Sequence, residues 1–160
     1  MTMTKCLNSL SATAVLLVIT WTPVAAQDVL IGSWKLDTGK STFTPGPSPK
    51  TQTLTFGGDK QSVKLQLIED RKVAASSEFE FNGKTFPVKS SPLFNALSAT
   101  AKKTPGADFA FEVQWKSAGN VSLNCNAVVA QGSQLLTIVT TGTDANGRTV
   151  NNYRVFQKQK

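Results

Sequence analysis

The sequence predicts an all-β chain, an antiparallel up-and-down β-barrel of about eight to nine strands, and three observations carry that expectation. The first is Leu30 to Leu36, a short apolar strand in which Gly32 stands two places before Trp34. A glycine there lets another element press close to the backbone. The tryptophan shares its strand face and is placed to plug one end of a closed sheet. The second is period-two alternation of apolar and polar residues along nearly every segment that follows, and the third is a turn signal about every 8 to 12 residues.

Ahead of the first strand, residues 1–26 read as an export signal. Lys5 supplies the positive end, Ser11 to Thr20 the apolar stretch and Val24-Ala25-Ala26 the small-residue cleavage site. The apolar stretch is too short for a membrane span, and no other stretch approaches roughly 18 apolar residues in a row. A mature chain starting at Gln27, one domain over 27–160 with no transmembrane segment, is therefore expected in the periplasm or the medium of a bacterium. Cys6 leaves with the leader, so Cys125 stands without a partner for a disulfide.

Beyond the first strand, Thr38 to Pro49 carries Pro45-Gly46-Pro47-Ser48-Pro49, which cannot join a ladder and reads as a large loop. Such a loop either covers the barrel mouth or acts as a rigid spacer. Apolar stripes then follow at Leu54 and Phe56, at Val63, Leu65 and Leu67, and at Phe79 and Phe81 against Glu78 and Glu80. Glu69-Asp70-Arg71-Lys72 reads as a charged hairpin connection. The clearest stripe is Phe109, Phe111, Val113 and Trp115 on one face, with Asp108, Ala110, Glu112 and Gln114 on the other. Val121, Leu123, Cys125 and Ala127 form the next one. Gly57-Gly58-Asp59, Asn82-Gly83, Ala118-Gly119-Asn120, Gln131-Gly132-Ser133 and Asn146-Gly147 supply the positive φ values that tight connections need, so consecutive strands are expected to pair as a meander.

Three stretches together resemble a largely uncharacterised, lipocalin-like family of small exported bacterial proteins. They are Gly32-Ser33-Trp34-Lys35-Leu36-Asp37 running on to Lys40-Ser41-Thr42-Phe43-Thr44-Pro45-Gly46-Pro47, then Asn82-Gly83-Lys84-Thr85-Phe86-Pro87-Val88, and Thr141 to Gly147 leading to Val150-Asn151-Asn152-Tyr153. In lipocalins the glycine-x-tryptophan strand opens the barrel and the tryptophan packs across an arginine of the final strand. The resemblance therefore implies barrel closure by Gly32, Trp34 and Arg154, with a cation-π contact between the last two. It also bears on Ser91 to Lys103. On pattern alone Ser91-Pro92 and the alanines after it favour a short helix; the resemblance favours a strand with Pro92 in the turn before it, and the strand is the reading adopted.

Composition narrows function further. The chain has no histidine, which removes the commonest general base and metal ligand and every triad or zinc site built on one. No cofactor, no metal and no catalytic set is expected. Loss of Lys5 takes the formal charge from +7 to about +6. The basic residues come in ones and twos, without the exposed aromatics of a nucleic-acid groove, so no nucleic acid is expected as a partner. Glu78 and Glu80 lie roughly 6 to 7 Å apart by strand geometry, a spacing that suits glycoside hydrolysis. Their alternation with Phe79 and Phe81 instead places them on the solvent face. Cys125, on an apolar stripe without a neighbouring base, reads as inert.

Two functions from different classes remain. In the first, an exported lipocalin-like binding protein holds a small apolar or amphipathic ligand inside the barrel without catalysis, the ligand-facing residues being Phe79, Phe81, Phe109, Phe111, Trp115 and Tyr153. Those aromatics fit a packed centre equally well, and Tyr153 is either a ligand-orienting phenol or an ordinary core hydrogen-bond partner. In the second, a solid barrel meets an anionic envelope surface or a protein partner through its basic exterior.

Overall fold

The computed structural model describes residues 29–58, 62–90, 98–104, 109–116, 122–130, 132, 134–144 and 146–160, so the expected leader and its cleavage after Ala26 lie outside the described residues. Its strands are β1 (Gly32–Leu36), β2 (Gln52–Gly58), β3 (Val63–Glu69), β4 (Lys72–Phe79), β5 (Asn82–Pro87), β6 (Lys89–Ser90), β7 (Ser98–Thr104), β8 (Phe109–Lys116), β9 (Ser122–Val129), β10 (Leu135–Thr143) and β11 (Thr149–Lys158). A 3-10 turn at Thr38–Lys40 is the only helical element among the described residues. No helix there is long and apolar enough to cross a membrane.

The strands form one antiparallel sheet in the order β5-β7-β8-β9-β10-β11-β1-β2-β3-β4-β6. Because β5 and β6 are consecutive pieces of one run, residues 82–90, the two ends of that order are the same stretch of chain. It pairs with β7 on one side, Phe86 opposite Ala99, and with β4 on the other, Ser90 opposite Ala75. The sheet thus curls into a nearly closed barrel of ten strands, more than the eight to nine expected. The extra wall comes from residues 72–90: β4 begins well before the Phe79-Phe81 stripe that marked it in the sequence. Asn82-Gly83, rather than folding the chain into a tight hairpin, starts a strand that pairs with β7. Ser98–Thr104 is strand, as adopted; residues 91–97 lie outside the described residues.

Alternation decides which side chains enter the barrel. Phe109, Phe111, Val113 and Trp115 are all buried, whereas Gln114 and Lys116 are exposed. The same phase in β2, β3 and β10 buries Leu54 and Phe56, Val63, Leu65 and Leu67, and Leu136 and Ile138. These chains form one core cluster with Trp34 and Phe156, whose side chains are fully covered. At about 25 cal/mol per Å² of apolar surface removed from water, such residues supply most of the drive to fold.

The first strand closes the barrel, but through a different cation from the one implied by the resemblance. Trp34 donates from Nε1 to the Leu30 carbonyl at 2.8 Å. In the β1–β11 ladder its partner is Lys158. The Lys158 ammonium lies 5.1 Å from the Trp34 ring and donates to the Val29 carbonyl at 2.9 Å. Arg154 is four residues back along β11, over Phe156 at 6.0 Å rather than over Trp34. Gly32 has its expected use: at φ +131°, a Cβ there would come within 3.0 Å of Lys158 Cε.

The first part of the loop after β1 runs along the barrel wall. After the 3-10 turn, Thr42 pairs with Tyr153 as an isolated bridge, and Asn151 N donates to Thr44 O at 2.8 Å. The chain therefore resumes the course of β1 along the edge of β11 and extends the wall. At β3–β4, Asp70 and Arg71 both have left-handed φ, 46° and 68°, the requirement of a type I′ two-residue turn, met here without glycine.

Candidate functional site: a polar belt at the open end of the barrel

The inward side chains divide along the barrel axis. At the end where β1 begins and β11 finishes, aromatic rings fill the space: Phe79 stacks on Phe86 at 4.7 Å, and Phe81 meets Phe79, Phe109 and Phe111 at 5.3, 5.7 and 5.1 Å. Offset and edge-on arrangements of this kind add to what the buried area contributes.

Toward the opposite end a cavity of about 170 Å³ opens between the strands. Its wall is mainly apolar, with Leu54, Phe56, Leu67, Phe111 and Ile138 in it, and Trp115, Thr140, Asn152 and Arg154 also line it. Strands β8 to β11, and β2 and β3 beyond β1, each contribute one member to a belt of polar groups. Trp115 of β8 donates from Nε1 to Cys125 Sγ of β9 at 3.3 Å. Cys125 shares a hydrogen with Thr140 Oγ1 of β10 at 3.2 Å. Arg154 of β11 donates from Nη2 to the same hydroxyl at 2.7 Å and from Nη1 to Gln52 Oε1 of β2 at a long 3.4 Å. Gln52 Nε2 in turn donates to Glu69 Oε2 of β3 at 2.8 Å.

Arg154 is the centre of this belt. Part of the residue keeps contact with solvent, but Nε is fully covered and has no acceptor among the described residues. Guanidinium carries five N–H donors; Thr140 and Gln52 take two and Cys125 is within reach of another, and Nε–H is among those left. None of the ion pairs among the described residues includes Arg154. Burial pushes the guanidinium below its ordinary pKa, an effect opposed by Cys125 and Glu69 nearby. A buried cation with spare donors beside an apolar cavity can bind and orient a polar or negatively charged group. Asn152, at the rim, accepts through Oδ1 from Thr44 N at 2.9 Å, so the proline-rich segment is tied to the cavity's edge.

Comparison with known protein families and with curated proteins finds no match for this chain.

Three of the six residues expected to face a ligand line the cavity: Phe79, Phe111 and Trp115. Phe81 and Phe109 belong instead to the aromatic packing at the closed end. Tyr153 points outward and is 44% exposed, which corrects its expected inward role. The inward phase of β11 is set by buried Val150 and Phe156, and even-numbered Asn152 and Arg154 share it. Thr140, Gln52 and Asn152 were not singled out in the sequence; the inward phase of their strands, fixed by Ile138, Leu54 and Val150, would have found them. Glu78 and Glu80 are exposed on the outer face as expected, bonded to Ser62 at 2.9 Å and Asn82 at 2.7 Å respectively. Cys125 is buried. No group of three His, Cys, Asp or Glu side chains among the described residues is arranged to hold a metal ion.

Proposed function

We propose that the chain is an exported binding protein of lipocalin-like type that holds one small apolar or amphipathic molecule inside its barrel and performs no chemistry on it. The observation that carries this reading is the cavity of about 170 Å³ with an apolar wall and a polar belt at one side. A cavity of about 150 Å³ lined by Leu, Ile and Phe side chains takes up benzene, so the space suits a ring or a short aliphatic chain rather than a long lipid. The apolar wall supplies affinity by removing ligand surface from water, and the few polar groups fix orientation. Export follows from the leader-like first 26 residues, which suit a periplasmic or secreted protein.

Native mass spectrometry of protein purified from its own host tests the proposal. The expected result is a released molecule of roughly benzene-to-indole size, its occupancy reduced by Ala127→Leu, which fills space in the cavity wall. Absence of any bound molecule, together with no shift in thermal midpoint across a panel of small aromatic and aliphatic compounds, would overturn it.

A further inference from the structure

We infer that the molecule held in the cavity is a small monocarboxylate, its head group gripped by Arg154 and its apolar body lying against Leu54, Leu67 and Phe111. This rests on the cavity-binding reading above and specifies the class of ligand.

Three features of the belt lead to it. Arg154 lines the cavity, and its Nε is buried without an acceptor among the described residues. A buried donor left unpaired costs more than a hydrogen bond returns, so a group supplying acceptors there gains that cost back on binding. Guanidinium presents its donors in a planar fork that matches the two oxygens of a carboxylate. The second feature is where the nearest acid stands. Glu69 reaches the belt only through Gln52, which leaves Arg154 without a directly bonded counter-ion while keeping one negative charge in the neighbourhood. A ligand with a single negative charge completes the pair; a dianion such as a phosphate monoester would meet Glu69 with a second charge that no further cation in the belt balances. The third is the distribution of the wall: Leu54, Phe56, Leu65, Leu67, Phe111 and Ile138 are apolar, and the polar lining residues Cys125, Thr140 and Asn152 are ladder neighbours in the belt with Arg154, which favours an acid with one polar end.

The test compares an acid with the alcohol of the same shape. Phenylacetate and 2-phenylethanol, and separately hexanoate and 1-hexanol, are titrated into the full mature chain at pH 7, with binding read by calorimetry and by the fluorescence of Trp115 in the cavity wall. Each acid is expected to bind about tenfold or more tighter than its alcohol, the worth of hydrogen bonds to a charged group. Arg154→Met abolishes that preference, so that each acid binds no tighter than its alcohol. Glu69→Gln, which keeps an acceptor for Gln52 and removes the neighbouring negative charge, strengthens acid binding severalfold and leaves the alcohol unchanged. In the unaltered protein the preference fades as pH falls through the ligand's own carboxyl range, about 4 to 5. Equal binding of acid and alcohol, or a preference that survives Arg154→Met, overturns the inference and leaves the cavity reading standing. If neither acid nor alcohol binds, both are overturned.

Discussion

The two ends of the barrel are made from the same alternating strands and yet are filled in opposite ways. At the closed end the inward positions hold Phe79, Phe81 and Phe109, in contact ring to ring, together with the fully buried Trp34 and Phe156, with the Lys158 cation over Trp34. At the open end they hold Gln52, Thr140 and Arg154, joined by hydrogen bonds, and Asn152, which lines the same cavity as Thr140 and Arg154. The difference teaches that period-two patterning specifies the wall, whereas the choice of residue at each inward position decides what the wall encloses. Aromatic filling supplies stability; polar filling gives some of it up and leaves room for an occupant.

Truncating the closed end should therefore have the largest effect on folding. Trp34 has no exposed surface, a satisfied indole N–H and a cation over its ring. Trp34→Ala removes the largest fully buried side chain and leaves a cavity where the first strand meets the last. A loss of about 3–5 kcal/mol is expected, read as a fall in the urea midpoint with an unchanged slope. A loss under about 1 kcal/mol would show that the plug is not what holds this end.

At the open end the same kind of substitution should act with the opposite sign. Arg154→Met replaces a buried cation, lacking a direct counter-ion, with an apolar chain of similar length. Removing the desolvation cost of an incompletely paired ion is often neutral or stabilising. The ligand-free protein is expected to gain about 1 kcal/mol, checked by the same urea titration. A loss of 3 kcal/mol or more would mean that the belt, like the aromatic end, is a stabilising element.

How far each end was legible beforehand follows from the same contrast. Phe109, Phe111, Val113 and Trp115 alternate with Ala110, Glu112 and Gln114, so the inward face of β8 could be read residue by residue, and with its neighbours it gave the all-β barrel. In β11 the inward set is Val150, Asn152, Arg154 and Phe156, two of them polar, while outward Tyr153 is aromatic and 44% exposed. With two polar residues inward and an aromatic one outward, alternation in β11 marks its faces less plainly than in β8, and the closing role of Arg154 is what the resemblance implies rather than what the pattern shows. Close backbone contacts were hidden too: a Cβ on Gly142 would collide with the Ser122 carbonyl of the neighbouring strand, and nothing local marks that glycine. The run from 82 to 90 closes the barrel by pairing with β7 on one side and β4 on the other, as in Phe86 with Ala99 and Ser90 with Ala75, which local turn chemistry does not specify.

The hairpins that rim the open end offer smaller levers. Arg71 sits at φ 68° in the two-residue β3–β4 turn, a left-handed conformation that costs a side chain of its kind about 1 kcal/mol or more. Arg71→Gly relieves that strain and gives back part of it as unfolded-state entropy. A net gain of about 0.5 kcal/mol in urea stability is expected, with acid binding unchanged because Arg71 is exposed and not part of the cavity wall. A net loss would mean that the turn relies on Arg71 for contacts that outweigh its backbone strain.

The smallest effect is expected at the β10–β11 rim, where it is read as a dependence on pH. Asp144 Oδ1 accepts from the backbone N–H groups of Asn146 and Arg148, both at 2.9 Å, and Oδ2 pairs with the Arg148 guanidinium at 2.8 Å. The backbone hydrogen bond from Arg148, more than any other contact, holds the Asp144 carboxyl below its ordinary pKa of 3.8. Because the folded value lies below the unfolded one, the folded state binds fewer protons in that window. The stabilisation is therefore fully present above about pH 3.8 and is lost as pH falls through the folded value. Asp144→Asn keeps an acceptor for the turn and removes the charge. The two proteins should differ in urea midpoint at pH 6, converge as the pH is lowered toward 2, and draw together at pH 6 in high salt, since the group is solvent-accessible and readily screened. A difference that persists undiminished at pH 2 would assign the rim's contribution to turn geometry rather than to charge.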